Sequence, residues 1–228
     1  MIKAVTVDAS GVLLLPDPDV LRSSLSAFDA RPDNSTCWRA HYEMIHLLDS
    51  TPDPDWPSMS RSFAAALGVP AQLQAEAGSV VVAEVYLSTA WVAAPDAADA
   101  LRDLFAGGYG LAVVSNTMHG EMSELLLRAR LCGVSGGFVP VAAVIDSHVA
   151  GVEKPDPRAF DLALAALGTR PSDCIHVGDS LRDDVRGAQA AGLTAVHVDP
   201  LELCSGGDHA HFASLAAFVT DLLGHSPL

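Results

Sequence analysis

Apolar and polar positions along this chain follow two rhythms. Over 2–7 the residues Ile2, Ala4, Val5, Thr6 and Val7 suit a buried, β-branched strand, which runs straight into Asp8-Ala9-Ser10-Gly11. Two prolines over 14–19 predict a break. From Val20 the rhythm turns helical, with Val20, Leu21, Leu25 and Phe28 on one face up to Arg31-Pro32. A second helix is expected from a cap at Asn34 or Ser35, carrying Trp38, Tyr42, Ile45 and Leu48. The acidic, proline-rich stretch 49–57 is a loop, and Asp49, Asp53 and Asp55 there lack the glycine and terminal glutamate of a calcium loop. Further helical patterns cover 59–67 and 71–91. Four helices with no strand between them predict a helical insertion.

At Pro95 the rhythm changes again. A helix over 96–105 stops at Gly107-Gly108, and a strand over 110–114 ends in Ser115-Asn116-Thr117. The pattern continues as helix 121–131, strand 142–145, the loop Gly151-Val152-Glu153-Lys154-Pro155 and helix 157–167. Strand 174–177 then ends in Gly178-Asp179, followed by helix 182–191, strand 194–198, the loop Ser205-Gly206-Gly207-Asp208 and helix 212–223. Strands and helices alternating at this length predict an α/β fold, a doubly wound parallel sheet with helices on both faces.

Composition narrows the function. The formal charge of −15 argues against a nucleic-acid partner, because nothing would neutralise a phosphate backbone. A small phosphorylated metabolite remains open, given a metal or a local positive group. Cys37, Cys132, Cys174 and Cys204 lie far apart, with no Cys-x-x-Cys pair, and read as reduced thiols rather than a disulfide frame or a zinc site. With no leader pattern and no apolar run of membrane-spanning length, a cytoplasmic protein without membrane contact is expected, as a monomer or homodimer. Only Lys3 and Lys154 are lysines among the 13 basic residues, which suggests a need for a compact ammonium where lysine is kept.

Three expected strands end in polar residues, Asp8, Ser115 and Asp179, and Lys154 lies in a loop before a helix. Carboxylates that hold Mg²⁺, an ammonium and a hydroxyl at one sheet edge suit phosphate chemistry. Asp8-Ala9-Ser10-Gly11-Val12-Leu13, Ser115-Asn116-Thr117, Lys154-Pro155-Asp156-Pro157 and Gly178-Asp179-Ser180-Leu181-Arg182-Asp183-Asp184 resemble, in order, the four motifs of the haloacid dehalogenase (HAD) superfamily. The resemblance implies a catalytic core of residues 1–15 and 93–228 with a helical cap at 16–92. It further implies Asp8 as nucleophile and Mg²⁺ ligand, the Ser10 backbone carbonyl as a second ligand, and Asp179 with Asp184 or Asp183 completing the metal site. Ser115 and the backbone at Asn116 would hold the phosphoryl group, and Lys154 would pair with Asp8 and the phosphate. For Asp183 a helix-dipole role is preferred. The Gly178-Asp179 motif argues against the dehalogenase branch, which needs no Mg²⁺ and tends to have Tyr where Ser10 stands.

Ser10 is the departure. Phosphatases of this family have Asp two residues after the nucleophile, as proton donor to the leaving group and activator of water. A carboxyl group with pKa near ~4 can be tuned to that cycle; a serine hydroxyl cannot at neutral pH. The expected activity is therefore a Mg²⁺-dependent phosphohydrolase or phosphotransferase working through an Asp8 phosphoenzyme, with impaired turnover. The alternative is a weakened or inactive scaffold that binds a phosphorylated ligand or a protein. Arg39, His41, Tyr42 and His46 are candidates for substrate choice or ordinary helix residues, Trp38 and Trp91 are expected in a core, and His209 and His211 read as a tail pair with no further ligand nearby.

Overall fold

The computed structural model describes residues 1–52, 54–118 and 120–224; Asp53, from the acidic loop, lies outside them. The chain divides into two compact units: Met1–Leu14 with the chain from Ala93 onward, and Leu15–Val92.

The first unit is built on six parallel strands in the spatial order Ala210–Phe212, Thr194–Val198, Cys174–Gly178, Ala4–Val7, Gly110–Ser115, Val144–Asp146. Ala4–Val7 is buried along its whole length, as a strand flanked by parallel neighbours and covered on both faces must be. Val7 is level with Val113 on one side and Val177 on the other, so Asp8, Ser115 and Asp179 emerge together at the carboxyl edge. Local chemistry fixes the flanking helices. Pro157–Leu167 starts at Pro157 behind the Asp156 carboxylate, which accepts from the Arg158 amide at 3.0 Å, and stops at Gly168 with φ +60°.

The second unit is helical: Pro18–Ser24, Asn34–Ser50, Trp56–Ala66 and Gln74–Val85 pack around Leu21, Leu25, Phe63, Leu67 and Val81. The chain enters and leaves it through the paired strands Leu14–Pro16 and Trp91–Ala93. Trp38 and Trp91 pack against the core of this unit. His41 is fully buried, with Nδ1 2.8 Å from the Tyr86 hydroxyl and its ring edge-on to Trp91. No described helix is long and apolar enough to cross a membrane.

Several elements differ from the sequence pattern for identifiable reasons. The first helix begins at Pro18, not Val20, because Asp17 caps it and Pro18 supplies a preset φ. The cap of the next helix is Asp33 rather than Asn34 or Ser35: its carboxylate accepts from the Thr36 amide at 2.7 Å, a charge-assisted bond neither neighbour can match. The helix expected over 71–91 ends at Val85. There the Ser88 hydroxyl and Trp91 indole donate to the carbonyls of Glu84 and Val85, and Trp91 opens a strand instead. The helix expected over 182–191 is a π-helical turn, Leu181–Arg186, followed by Gly187–Ala190. Strand Ala210–Phe212 was not expected; three residues are too short for periodicity to register. That strand sets His209 and His211 beside His197 and Cys204, so the pair does have further potential ligands nearby.

Candidate active site

The sheet has one topological switch point. The chain leaves Ala4–Val7 towards Gly110–Ser115 on one side and leaves Cys174–Gly178 towards Thr194–Val198 on the other, opening a crevice beyond the carboxyl ends of the two central strands. Asp8 and Asp179 sit at that crevice because each directly follows one of those strands.

Thr6 and His176 are register partners on the central strands, with Thr6 Oγ1 2.9 Å from His176 Nδ1. Two residues on, the same faces present Asp8 and Gly178. Glycine is required there, because a Cβ on Gly178 would fall 2.1 Å from Asp184 Cγ. The π-helical turn delivers Asp184 into this space, with the Asp184 and Val185 amides both donating to the Ser180 carbonyl, at 3.1 and 3.0 Å. Asp184 Oδ1 then accepts from Lys154 Nζ at 2.6 Å and lies 3.0 Å from His176 Nε2, while Oδ2 accepts from the Ser180 amide at 3.0 Å. Lys154 Nζ also donates to Asp8 Oδ1 at 2.7 Å. One oxygen from each of Asp8, Asp179 and Asp184 lies within 4.8 Å of the others, and all three side chains are buried.

Asp183, one residue away, turns outward to face Arg182, so Asp184 is the inward carboxylate of the two. Of the two lysines, Lys3 pairs with Asp173 at the surface and Lys154 is buried in the cluster.

Three carboxylates face one ammonium. Burial opposes charge on both Lys154 and Asp184, yet Asp184 and Asp8 hold Lys154 well above its ordinary value, and Lys154 with His176 holds Asp184 well below its own. The surplus falls on Asp8. Burial, opposed by Lys154 and reinforced by Asp184 and Asp179, raises it from 3.8 to about 8. Burial also lowers the His176 value, and the ring bridges the two groups, with Nε2 beside Asp184 and Nδ1 beside the Thr6 hydroxyl. Sequence reasoning missed His176. Its signal was a polar ring in the middle of an otherwise apolar strand.

Substituting Gly178→Ala is expected to push the Asp184 carboxyl away from Lys154 and His176. Overpacking of this kind costs about 1–3 kcal/mol. Urea unfolding checks it, and an unchanged midpoint would count against Gly178 as the space for Asp184.

Ser115 is buried, and its hydroxyl has no partner among the described residues. The Asn116 side chain makes two bonds to the backbone of Lys154: its Oδ1 accepts from the amide at 2.8 Å and its Nδ2 donates to the carbonyl at 2.9 Å. The side chain of Asn116 thus positions the lysine. Ser10 lies half-buried in the tight turn after Asp8, where the Leu13 and Leu14 amides both donate to the Ala9 carbonyl.

Residues 2–192 match the family model of the haloacid dehalogenase-like hydrolases. The chain belongs to that family. Over 105 residues it is 38% identical to the phosphoserine phosphatase of Thermus thermophilus, covering 46% of this chain and 40% of that protein. It spans about half the length of the curated relatives it matches, between 40% and 54% for the first three. Among solved structures it resembles the HAD-hydrolase YfnB from Bacillus subtilis bound to magnesium, with a TM-score of 0.64, 16% identity, and 97% and 98% of the two chains covered. It also resembles the L-2-haloacid dehalogenase of Xanthobacter autotrophicus, with a TM-score of 0.61, 20% identity, and 99% and 100% covered. These two structural likenesses are of fold.

Proposed function

We propose that this HAD-like hydrolase is a Mg²⁺-dependent phosphohydrolase or phosphotransferase for a small phosphorylated metabolite, carrying the phosphoryl group on Asp8. The observation behind this reading is the buried cluster at the switch point: three carboxylates, one ammonium and the unpartnered Ser115 hydroxyl. The residues fit a hard divalent cation. All three acidic groups offer oxygen, and once Asp8 gives up its proton their charge exceeds that of Lys154 by the charge of one such ion. Asp8, Asp179 and Asp184 would hold the metal, with the Ser10 carbonyl as a further ligand, and Asp183 is left out. When bound, Mg²⁺ would neutralise charge on the phosphoryl oxygens.

The chain's own groups supply the rest. Asp8 forms a bond to phosphorus as the bond to the leaving oxygen breaks, and Lys154 and Ser115 hold the non-bridging oxygens. Asn116 and His176 keep Lys154 and Asp184 in place. A water molecule then hydrolyses the acyl phosphate, returning Asp8 and releasing phosphate. Ser10 gives this half-reaction no general base, which favours a second reading: a protein that binds a phosphorylated ligand without turning it over.

The test is phosphate release from a panel of phosphate esters, with Mg²⁺ and with a chelator, alongside calorimetric Mg²⁺ titration across pH. Release is expected only with the metal. In its absence the raised Asp8 value means the folded protein keeps a proton that the unfolded chain sheds near 3.8, so that group's contribution to stability falls as pH rises towards about 8. Metal must displace this proton, so Mg²⁺ affinity is expected to rise by about tenfold per pH unit and to level off above the Asp8 value. A pH-independent affinity would count against Asp8 as a ligand. Phosphate-ester binding with neither release nor Asp8 labelling would select the second reading.

A further inference from the structure

On the far side of Asp179 lies a second cluster that the phosphate chemistry does not use. His197 and His211 are register partners on neighbouring strands, and the loop between those strands carries Cys204 and His209. One ring nitrogen from each histidine and the Cys204 sulfur all lie within 4.8 Å of one another.

We propose that His197, Cys204, His209 and His211 form a tetrahedral structural Zn²⁺ site, separate from the carboxylate cluster. Each imidazole has one nitrogen turned to an oxygen outside the cluster. His197 Nε2 lies 3.0 Å from the Asp179 carbonyl, His211 Nδ1 lies 4.0 Å from Asp199 Oδ2, and His209 Nδ1 lies 3.5 Å from Asp208 Oδ1. The opposite nitrogens are the ones left for a metal. The short contact of His197 to the Asp179 carbonyl is of the kind that fixes the tautomer and aim of a metal-bound histidine.

His197 Nδ1 and His211 Nε2 are buried and have no partner among the described residues, and the His197 residue is only 6% exposed. Leaving two buried nitrogens unpaired is unfavourable, and a cation at the shared point would pair both. His209 Nε2 is 3.8 Å from Cys204 Sγ, close to the roughly 3.6 Å separation of nitrogen and sulfur ligands on tetrahedral zinc.

The loop is shaped to hold this set. The Asp199 carboxylate accepts from the amides of Leu203 and Cys204, at 3.1 and 2.8 Å, and so places the thiol. Gly207 leaves room for the His209 ring, since a Cβ there would come within 3.1 Å of Cε1. A thiolate with three imidazoles selects Zn²⁺ over Mg²⁺, and four protein ligands close the coordination shell. The site would clip the loop to the sheet and, through His197, fix the backbone carbonyl of Asp179.

Metal analysis of the full-length protein purified without chelator and reconstituted with Zn²⁺ is expected to give one zinc per chain. Asp8→Asn should retain it, because that carboxylate belongs to the other cluster. Cys204→Ser and His209→Ala should each weaken zinc binding by at least about 100-fold in competition with a chromophoric chelator, with circular dichroism confirming that the variants fold. The Co²⁺-substituted wild type, which needs no variant, should show tetrahedral bands and a sulfur-to-metal charge-transfer band. Substoichiometric zinc in the folded wild type, zinc lost in Asp8→Asn, zinc unaffected by both loop variants, or a Co²⁺ spectrum without the sulfur band would each overturn the proposal.

Discussion

Replacing Asp8 with Asn is expected to abolish phosphoryl transfer, with kcat falling by about 10⁴-fold or more, the scale seen when a nucleophile is deleted. The amide is nearly isosteric but cannot form the acyl phosphate, so phosphate incorporation at this position should vanish in mass spectrometry. The variant should fold. Lys154 keeps Asp184 as a partner at 2.6 Å, and the amide removes a buried acidic group that Asp184 and Asp179 already disfavour in its charged form. Circular dichroism and thermal unfolding separate lost chemistry from lost structure. Phosphate release that persists in folded Asp8→Asn, or label that remains on it, would remove Asp8 as the nucleophile.

Ser10→Asp is expected to act in the opposite direction. A phosphoryl group on wild-type Asp8 should be long-lived, so pre-steady-state traces should show a burst of product followed by a slow phase. An aspartate two residues after the nucleophile can give a proton to the leaving oxygen and then accept one from water. General acid–base catalysis of this kind is worth about 10²–10⁴ in rate. The slow phase should accelerate by that factor and the burst should disappear. The turn containing position 10 is held by backbone bonds, Gly11 N to Leu14 O at 2.8 Å among them, and therefore does not depend on the serine side chain. If the slow phase is equally slow in Ser10→Asp, some step other than acyl-phosphate hydrolysis limits turnover.

The parallel α/β fold was legible in the sequence because its determinants are local. Buried strands read as apolar, β-branched runs, and helix Pro157–Leu167 carries its own start and stop in Asp156, Pro157 and Gly168. Boundaries were missed where a side chain from elsewhere intervened. Ser88 and Trp91 ended a helix by donating to its last carbonyls, and Asp33 outcompeted its neighbours as a cap. The positions of Asp8, Ser115 and Asp179 at one sheet edge also follow from local reading, since each stands at or just after the end of a strand.

What the chain order could not convey is which side chains meet. For Asp183 and Asp184 the sequence offered only a preference, a helix-dipole role for Asp183; a π-helical turn sends Asp184 inward over Gly178 and leaves Asp183 beside Arg182. Asn116 was read only for its backbone, and its side chain was found bonded to the Lys154 backbone, 38 residues away. The meeting of His197 with Cys204, His209 and His211 depends on a three-residue edge strand and a loop with no periodicity. The sequence by itself determined the strands, the helices and the types of chemical group available at the sheet edge, because propensity, capping and burial period act over a few residues. Only the tertiary structure decided the pairings, since contacts between distant positions arise from register, turn geometry and packing that no short stretch contains.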